Sequence, residues 1–130
     1  MKILVTGVAG FIGSNLGEHL IKNNYKVIGI DNFDPFYDRA IKETNILRLR
    51  QSIDFKFYES DIRDKSSINA IFSSEQPDIV IHLAAKAGVR PSIHNPEAYY
   101  DVNVMGTLNI LECMKTNGIS KMIFASSSSV

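Results

Sequence analysis

Along the chain, short apolar runs alternate with stretches whose apolar residues recur at helical spacing. Residues 2–6 ("KILVT") read as a strand and 11–23 as a helix. A second strand follows at 25–30 ("YKVIGI"). Residues 39–51 carry Ile41, Leu47 and Leu49 among polar positions and predict a helix. The alternation at 54–59 ("DFKFYE") predicts a third strand, and 65–73 a short helix with Asp64 as its N-cap. Residues 78–83 ("DIVIHL") are so apolar that the strand they predict needs cover on both faces. Asn95 caps a long helix over 95–117, with Pro96 at its first position and Gly118 just past its end. Residues 121–125 ("KMIFA") form the last predicted strand. Strands that alternate with helices require crossover connections, which are right-handed and give a parallel sheet. The pattern therefore predicts an α/β domain over 1–130, with no repeat and no linker.

Composition narrows the class. The 14 basic and 14 acidic residues cancel, so no broad pull toward nucleic acid or an anionic membrane is expected. No apolar run approaches the roughly 20 residues needed to span a bilayer. Lys2 is followed by only three apolar residues, too few for a secretory signal. One cysteine, Cys113, excludes an internal disulfide and suits a reducing compartment. A soluble cytoplasmic protein, with no nucleic-acid or membrane partner, is the expectation. The three histidines suggest no metal cluster, so no metal is expected.

The densest chemistry lies at the first strand–helix turn. Gly7, Gly10 and Gly13 follow one another at three-residue spacing in "TGVAGFIG". Without a Cβ, Gly7 can turn sharply, Gly10 lets a pyrophosphate approach the backbone, and Gly13 lets the helix pack on the sheet. The helix N-terminus offers free N–H groups and the positive end of a dipole to the phosphates. The spacing is G-x-x-G-x-x-G, not the commoner G-x-G-x-x-G. Its context is nevertheless that of a dinucleotide site: a strand before, a helix after, and an acid, Asp31, about 20 residues on. A carboxylate there accepts from the ribose hydroxyls of NAD and repels the 2′-phosphate of NADP. No arginine or lysine lies beside Asp31 in sequence, so NAD is expected. The plain alternative is a tight turn followed by a solvated acid. A Rossmann-like first half also sets the order of the doubly wound parallel sheet, 3-2-1-4-5.

Together "TGVAGFIG", Asp31-Asn32, "DIRD", "HLAAKAGV", "NVMGTLNILE" and "FASSSSV" resemble the extended short-chain dehydrogenase/reductases over the whole chain. Within them the chain looks like the NAD-dependent sugar-nucleotide epimerase/dehydratases. "DNFDPFYD", Lys42 beyond it, and "AGVRPS" are similar to UDP-glucuronate 4-epimerases, although UDP-glucose 4-epimerases share most of these features.

The resemblance implies roles residue by residue. Gly7, Gly10, Phe11, Ile12 and Gly13 would cradle the pyrophosphate of NAD. Asp31 and Asn32 would hold the adenosine ribose, and Asp61 and Ile62 would flank the adenine. Leu83, Ala84, Ala85 and Lys86 would line the nicotinamide side, with Asn103 near the cofactor. Arg90 would face the UDP-sugar substrate, or stand as a solvated loop charge. Ser127, counted back from Val130, would be the Ser/Thr of a catalytic Ser/Thr-Tyr-Lys set, with Ser129 as second candidate. No Tyr-x-x-x-Lys occurs in the chain. The resemblance places that pair, the later strands and a substrate domain beyond residue 130, and a homodimer in the longer enzyme.

The expected function is therefore NAD-dependent epimerisation of a nucleotide sugar through transient oxidation at C4. The chain itself would be an N-terminal portion that binds NAD without turnover. The alternatives are a non-catalytic dinucleotide-binding module and a 4,6-dehydratase or reductase of the same family. An acid pair would be expected after the catalytic Thr of a dehydratase, whereas Ser128 and Ser129 stand here. His82 and Cys113 read as core residues, and Gly106 as a close-packing position inside the long helix.

Overall fold

The structure is a computed structural model that describes residues 1–127. Its sheet has five parallel strands in the order β3-β2-β1-β4-β5. They are β1 (Lys2–Thr6), β2 (Lys26–Asp31), β3 (Phe55–Glu59), β4 (Ile79–His82) and β5 (Met122–Phe124). This is the Rossmann-like order expected from the alternation of strand and helix. After β3 the chain crosses back over β1 to lay down β4 on its other side. The strand order therefore reverses between β1 and β4, and the connections leaving these two strands diverge.

The three inner strands, β1, β2 and β4, bury residues on both sides of the sheet because helices cover both faces. Along β1 the pleat sends Leu4 to one face and Ile3 and Val5 to the other. Leu4 joins Ile28, Ile30 and Val80 beneath α3 (Lys65–Glu75), represented by Ile68 and Phe72. Ile3 and Val5 join Val8, Val27 and Leu20, the last from α1 (Phe11–Lys22). Ile46, from α2 (Arg39–Ile46), closes that second core. Asp64 caps α3 as predicted, accepting from the Ser67 amide at 3.1 Å.

Three spans depart from the sequence pattern. The helix expected over 39–51 stops at Ile46 and is followed by a 3₁₀ turn, Leu49–Gln51. That turn seats Leu49 on Gly17 of α1, where an added Cβ would lie 3.1 Å from the leucine. A short helix, α4 (Val89–His94), was not legible, because Gly88 and Pro91 read as loop signals. Here Gly88 takes φ +100° and the chain turns into the helix directly after it. The long helix is present but not uniform. It runs as α5 (Pro96–Tyr100), a π-helical turn (Asp101–Gly106) and α6 (Thr107–Thr116). Asn95 caps it, accepting from the Ala98 amide at 3.3 Å. Gly106 is a packing glycine, since a Cβ there would fall 2.6 Å from the Ile62 side chain.

Candidate functional site

A cavity of about 150 Å³ opens at the carboxyl ends of the strands, beside the reversal between β1 and β4. Ten of the residues predicted from sequence line it. Gly7 and Gly10 come from the turn after β1, and Asp31 and Asn32 from the end of β2. Asp61 and Ile62 follow β3, while Leu83, Ala84, Ala85 and Lys86 follow β4.

The glycine turn is built by close backbone approach. Gly7 has φ +73°, and its N–H donates to the Ile30 carbonyl at 2.8 Å. A Cβ on Gly7 would lie 2.9 Å from the Ala84 nitrogen. The turn after β1 and the segment after β4 therefore touch through a position that only glycine can fill. Gly13 is packed still more tightly, its hypothetical Cβ falling 2.2 Å from the Gly7 carbonyl oxygen. This contact draws the start of α1 down onto the turn. Gly10 is different, because a Cβ there would meet only the Gly7 oxygen, at 3.3 Å. It leaves open space beside a helix N-terminus whose first turn carries no acid.

The surroundings of Asp31 correct the sequence reading. Asp31 was expected to stand without a basic neighbour. Lys42, from the first turn of α2, instead places Nζ 2.9 Å from Asp31 Oδ1. Both residues are buried, at 6% and 9% exposure, and both line the cavity. Asp31 also accepts the amides of Ala9 at 3.0 Å and Phe33 at 2.8 Å. The carboxylate thus ties the turn after β1 to the loop after β2, and its charge is compensated by an ammonium. The sequence separates the two residues by a loop that gives no hint of their approach. Only the loop at 32–38, beyond the carboxyl end of β2, brings Lys42 back to Asp31.

Beside this pair, Asn32 donates to Asp61 Oδ2 at 2.9 Å. Arg63 grips the same carboxylate through Nη2 at 2.8 Å and Nε at 3.0 Å. The Arg63 guanidinium foremost, against the effect of burial, holds the Asp61 carboxyl down at about 2. Ile62 is buried, and its side chain packs against Gly106.

On the opposite wall, Asn103 does not line the cavity but fixes the residue that does. Its Oδ1 accepts the Lys86 amide at 2.7 Å, and its Nδ2 donates to the Lys86 carbonyl at 3.1 Å. The Lys86 ammonium reaches Asp34, on the loop after β2, at 3.2 Å. Burial pushes the Asp34 carboxyl up, but the Phe36 amide and Lys86 outweigh it and hold it below the usual range. Asp34 and Tyr37 line the cavity too; like Lys42, they belong to the quoted motif at 31–42 but were assigned no role in the site.

The remaining predicted residues lie outside this cavity. Phe11 and Ile12 are 80% and 69% exposed at the start of α1. Arg90 is exposed on α4. Ser127 is exposed beyond the carboxyl end of β5, and Ser129 lies outside the described residues.

The sequence model of the GDP-mannose 4,6-dehydratase family matches residues 4–130. A UDP-glucuronate 4-epimerase of Thermodesulfobacterium geofontis is 48% identical over 127 residues, which are 98% of this chain and 39% of that protein. Among solved structures, the UDP-glucuronic acid 4-epimerase of Bacillus cereus, in complex with UDP-glucuronic acid and NAD, is 41% identical. It superposes with a TM-score of 0.91 over 100% of this chain and 41% of that one. The UDP-glucose 4-epimerase of Thermus thermophilus, in complex with NAD, is 35% identical, with a TM-score of 0.84 over 98% and 38%. The chain thus spans about two fifths of the length of these relatives.

Proposed function

The chain belongs to the GDP-mannose 4,6-dehydratase family, and from that premise we propose that it is the NAD-binding portion of a nucleotide-sugar 4-epimerase. The observation that carries this reading is the cavity at the strand reversal. It joins the open backbone at Gly10, an acid and a lysine at Asp31 and Lys42, and the wall at 83–86. The residues present fit a dinucleotide. Gly10 and the N-terminus of α1 would take the pyrophosphate. Asp31, Lys42 and Asn32 would take the adenosine ribose, and Asp61 the edge of the adenine. Residues 83–86 would face the nicotinamide, with Asn103 holding Lys86 in place. When bound, NAD supplies a hydride acceptor and donor at C4 of the sugar.

Ser127 follows β5 at the same end of the sheet as the cavity and would orient the reacting sugar hydroxyl. Arg90 would meet the UDP-sugar from α4. The proton acceptor of such chemistry is a Tyr-x-x-x-Lys pair, which this sequence lacks. This chain by itself therefore binds NAD and does not epimerise. The full enzyme is read as a cytoplasmic homodimer acting on UDP-glucuronate or UDP-glucose. Support for the dimer is an exposed apolar stripe, Val104, Leu108 and Leu111, along the long helix. Exposed Ile123 and Phe124 on β5 support further covering elements beside that strand. The dehydratase alternative is disfavoured by Ser128 and Ser129 at the place of the acid pair.

Titration of the purified chain with NADH, followed by calorimetry, tests the reading. Saturable binding at one site per chain is expected, with no interconversion of UDP-glucuronate and its 4-epimer. A folded chain that does not bind NADH overturns the dinucleotide assignment. Turnover by the chain alone overturns the division of labour.

A further inference from the structure

A line of buried and part-buried polar contacts links the end of β1 to the segment after β4. Thr6 at the end of β1 and His82 at the end of β4 are both buried and are partners in register. Thr6 Oγ1 accepts the amides of Leu83 at 3.2 Å and Ala84 at 3.1 Å. Its own hydrogen is left for His82 Nδ1, 2.6 Å away. On the far side of the ring, Nε2 lies 3.0 Å from Thr107 Oγ1. The Thr107 hydroxyl donates to the Asn103 carbonyl at 2.7 Å, so it has only lone pairs to offer the imidazole. Both neighbours demand the same tautomer, with the hydrogen on Nε2 and none on Nδ1. Phe124 stacks on the ring, with centroids 5.8 Å apart, and fixes its plane.

The line continues through the helix. Asn103 sits in the π-helical turn, and its side chain holds the Lys86 peptide from both sides. π-turns carry an extra residue per turn and occur often at functional positions. In this turn the Asn103 backbone carbonyl accepts the Thr107 hydroxyl, and its side-chain amide reaches the segment after β4. One end of the line precedes Gly7, and the other is Lys86.

We infer that His82 is a positioning residue: held as the Nε2–H tautomer between Thr6 and Thr107, it couples the glycine turn to the π-turn and so sets the wall at 83–86. An apolar side chain of equal size would fill the volume but leave the Thr6 hydroxyl without its acceptor and Thr107 without its donor. The inference rests on the dinucleotide reading for what that wall faces. It goes beyond that reading in assigning the wall's geometry to a buried histidine that touches no ligand.

The test uses the full chain and two probes, NADH and ADP-ribose, which lacks the nicotinamide. Thr107→Val removes the hydroxyl at nearly constant shape, and Thr107→Ser restores it. Thr107→Val is expected to weaken NADH roughly tenfold while ADP-ribose changes less than about twofold, the scale of one lost buried hydrogen bond. Thr107→Ser is expected to recover NADH binding. Equal losses for both probes, or no loss for either, overturn the inference. Nitrogen NMR of the histidine ring in the unaltered chain gives a second reading at neutral pH. A protonated Nε2 and bare Nδ1 are expected, with slow hydrogen exchange at the Lys86 amide. The opposite tautomer, or a charged ring, overturns the inference even if Thr107→Val does not fold. If neither probe binds the unaltered chain, the dinucleotide reading falls, while the tautomer and the Lys86 amide still decide the coupling.

Discussion

Replacing Gly7 and Gly10 separately by alanine should split stability from binding. At Gly7 the backbone has φ +73°, a conformation that costs a residue with a Cβ about 1–2 kcal/mol. The new methyl would also stand 2.9 Å from the Ala84 nitrogen, 3.0 Å from its Cα and 3.1 Å from the Leu83 carbonyl carbon. All three are backbone atoms of a segment pinned to Thr6, so the methyl cannot be accommodated by a side-chain rotation. Overpacking of this kind costs a further ~1–3 kcal/mol. The total of roughly 2–5 kcal/mol corresponds to a fall in Tm of about 10 °C or more for a chain of this size. At Gly10 the backbone is extended, with φ −73° and ψ 168°, and the methyl would meet only the Gly7 oxygen at 3.3 Å. Gly10→Ala should therefore cost less than ~1 kcal/mol. It would nevertheless occupy the space assigned to the pyrophosphate, and NADH affinity should fall on the order of tenfold or more. Calorimetric melting and NADH titration on the same two proteins give both readouts. Undiminished NADH binding by Gly10→Ala refutes the phosphate assignment. An unchanged Tm for Gly7→Ala refutes the argument from backbone contact.

Other perturbations probe separate parts of the molecule. Lys42→Met strands the Asp31 carboxylate at 6% exposure and should cost about 3 kcal/mol in urea unfolding at pH 7, a figure that a loss under ~0.5 kcal/mol would contradict. The same variant should widen the preference for NAD over NADP, because a 2′-phosphate would meet an acid no longer compensated; a narrower preference sinks the ribose assignment. Burial holds His82 neutral down to about 4, against an ordinary value of 6.5. Its folded value is the lower one, so the unfolded chain binds the extra proton first as pH falls. Stability present above pH 6.5 should therefore be lost between 6.5 and about 4, on the order of 3 kcal/mol. Denaturation curves of the parent and His82→Asn across that range should diverge, and parallel curves would contradict the assignment. Leu108→Glu should abolish any self-association seen by sedimentation, and a persistent dimer would exclude the helix stripe as its interface.

Much of the architecture was legible because it depends on patterns that short windows carry. The strand at 78–83 announced its double burial by composition, and β4 is covered on both faces. The glycine turn was legible because three positions without a Cβ between a strand and a helix have few other uses. Lys42 was not, since a lysine on the first turn of a polar helix reads as solvated until the loop before it returns to the end of β2. The π-turn was hidden for another reason. No residue type in Asp101–Gly106 signals it, and only the backbone of the folded chain reveals it. Asn103 could thus be placed near the cofactor side, but not as the clamp on the Lys86 peptide.

The Lys86–Asp34 pair joins the loop after β4 to the loop after β2, across the cleft between them. Its side chains are 23% and 29% exposed, and an ion pair so wetted contributes about 0–1 kcal/mol. At physiological ionic strength charges are screened over ~8 Å, and raising the salt loosens such a contact further. The side-chain link between the two lips is therefore weak and costs little to break when a ligand enters. The pair adds little to how tightly a ligand is held, and less as salt rises. How long a ligand stays falls to the drier contacts deeper in, at Asp31, Lys42 and the glycine turn.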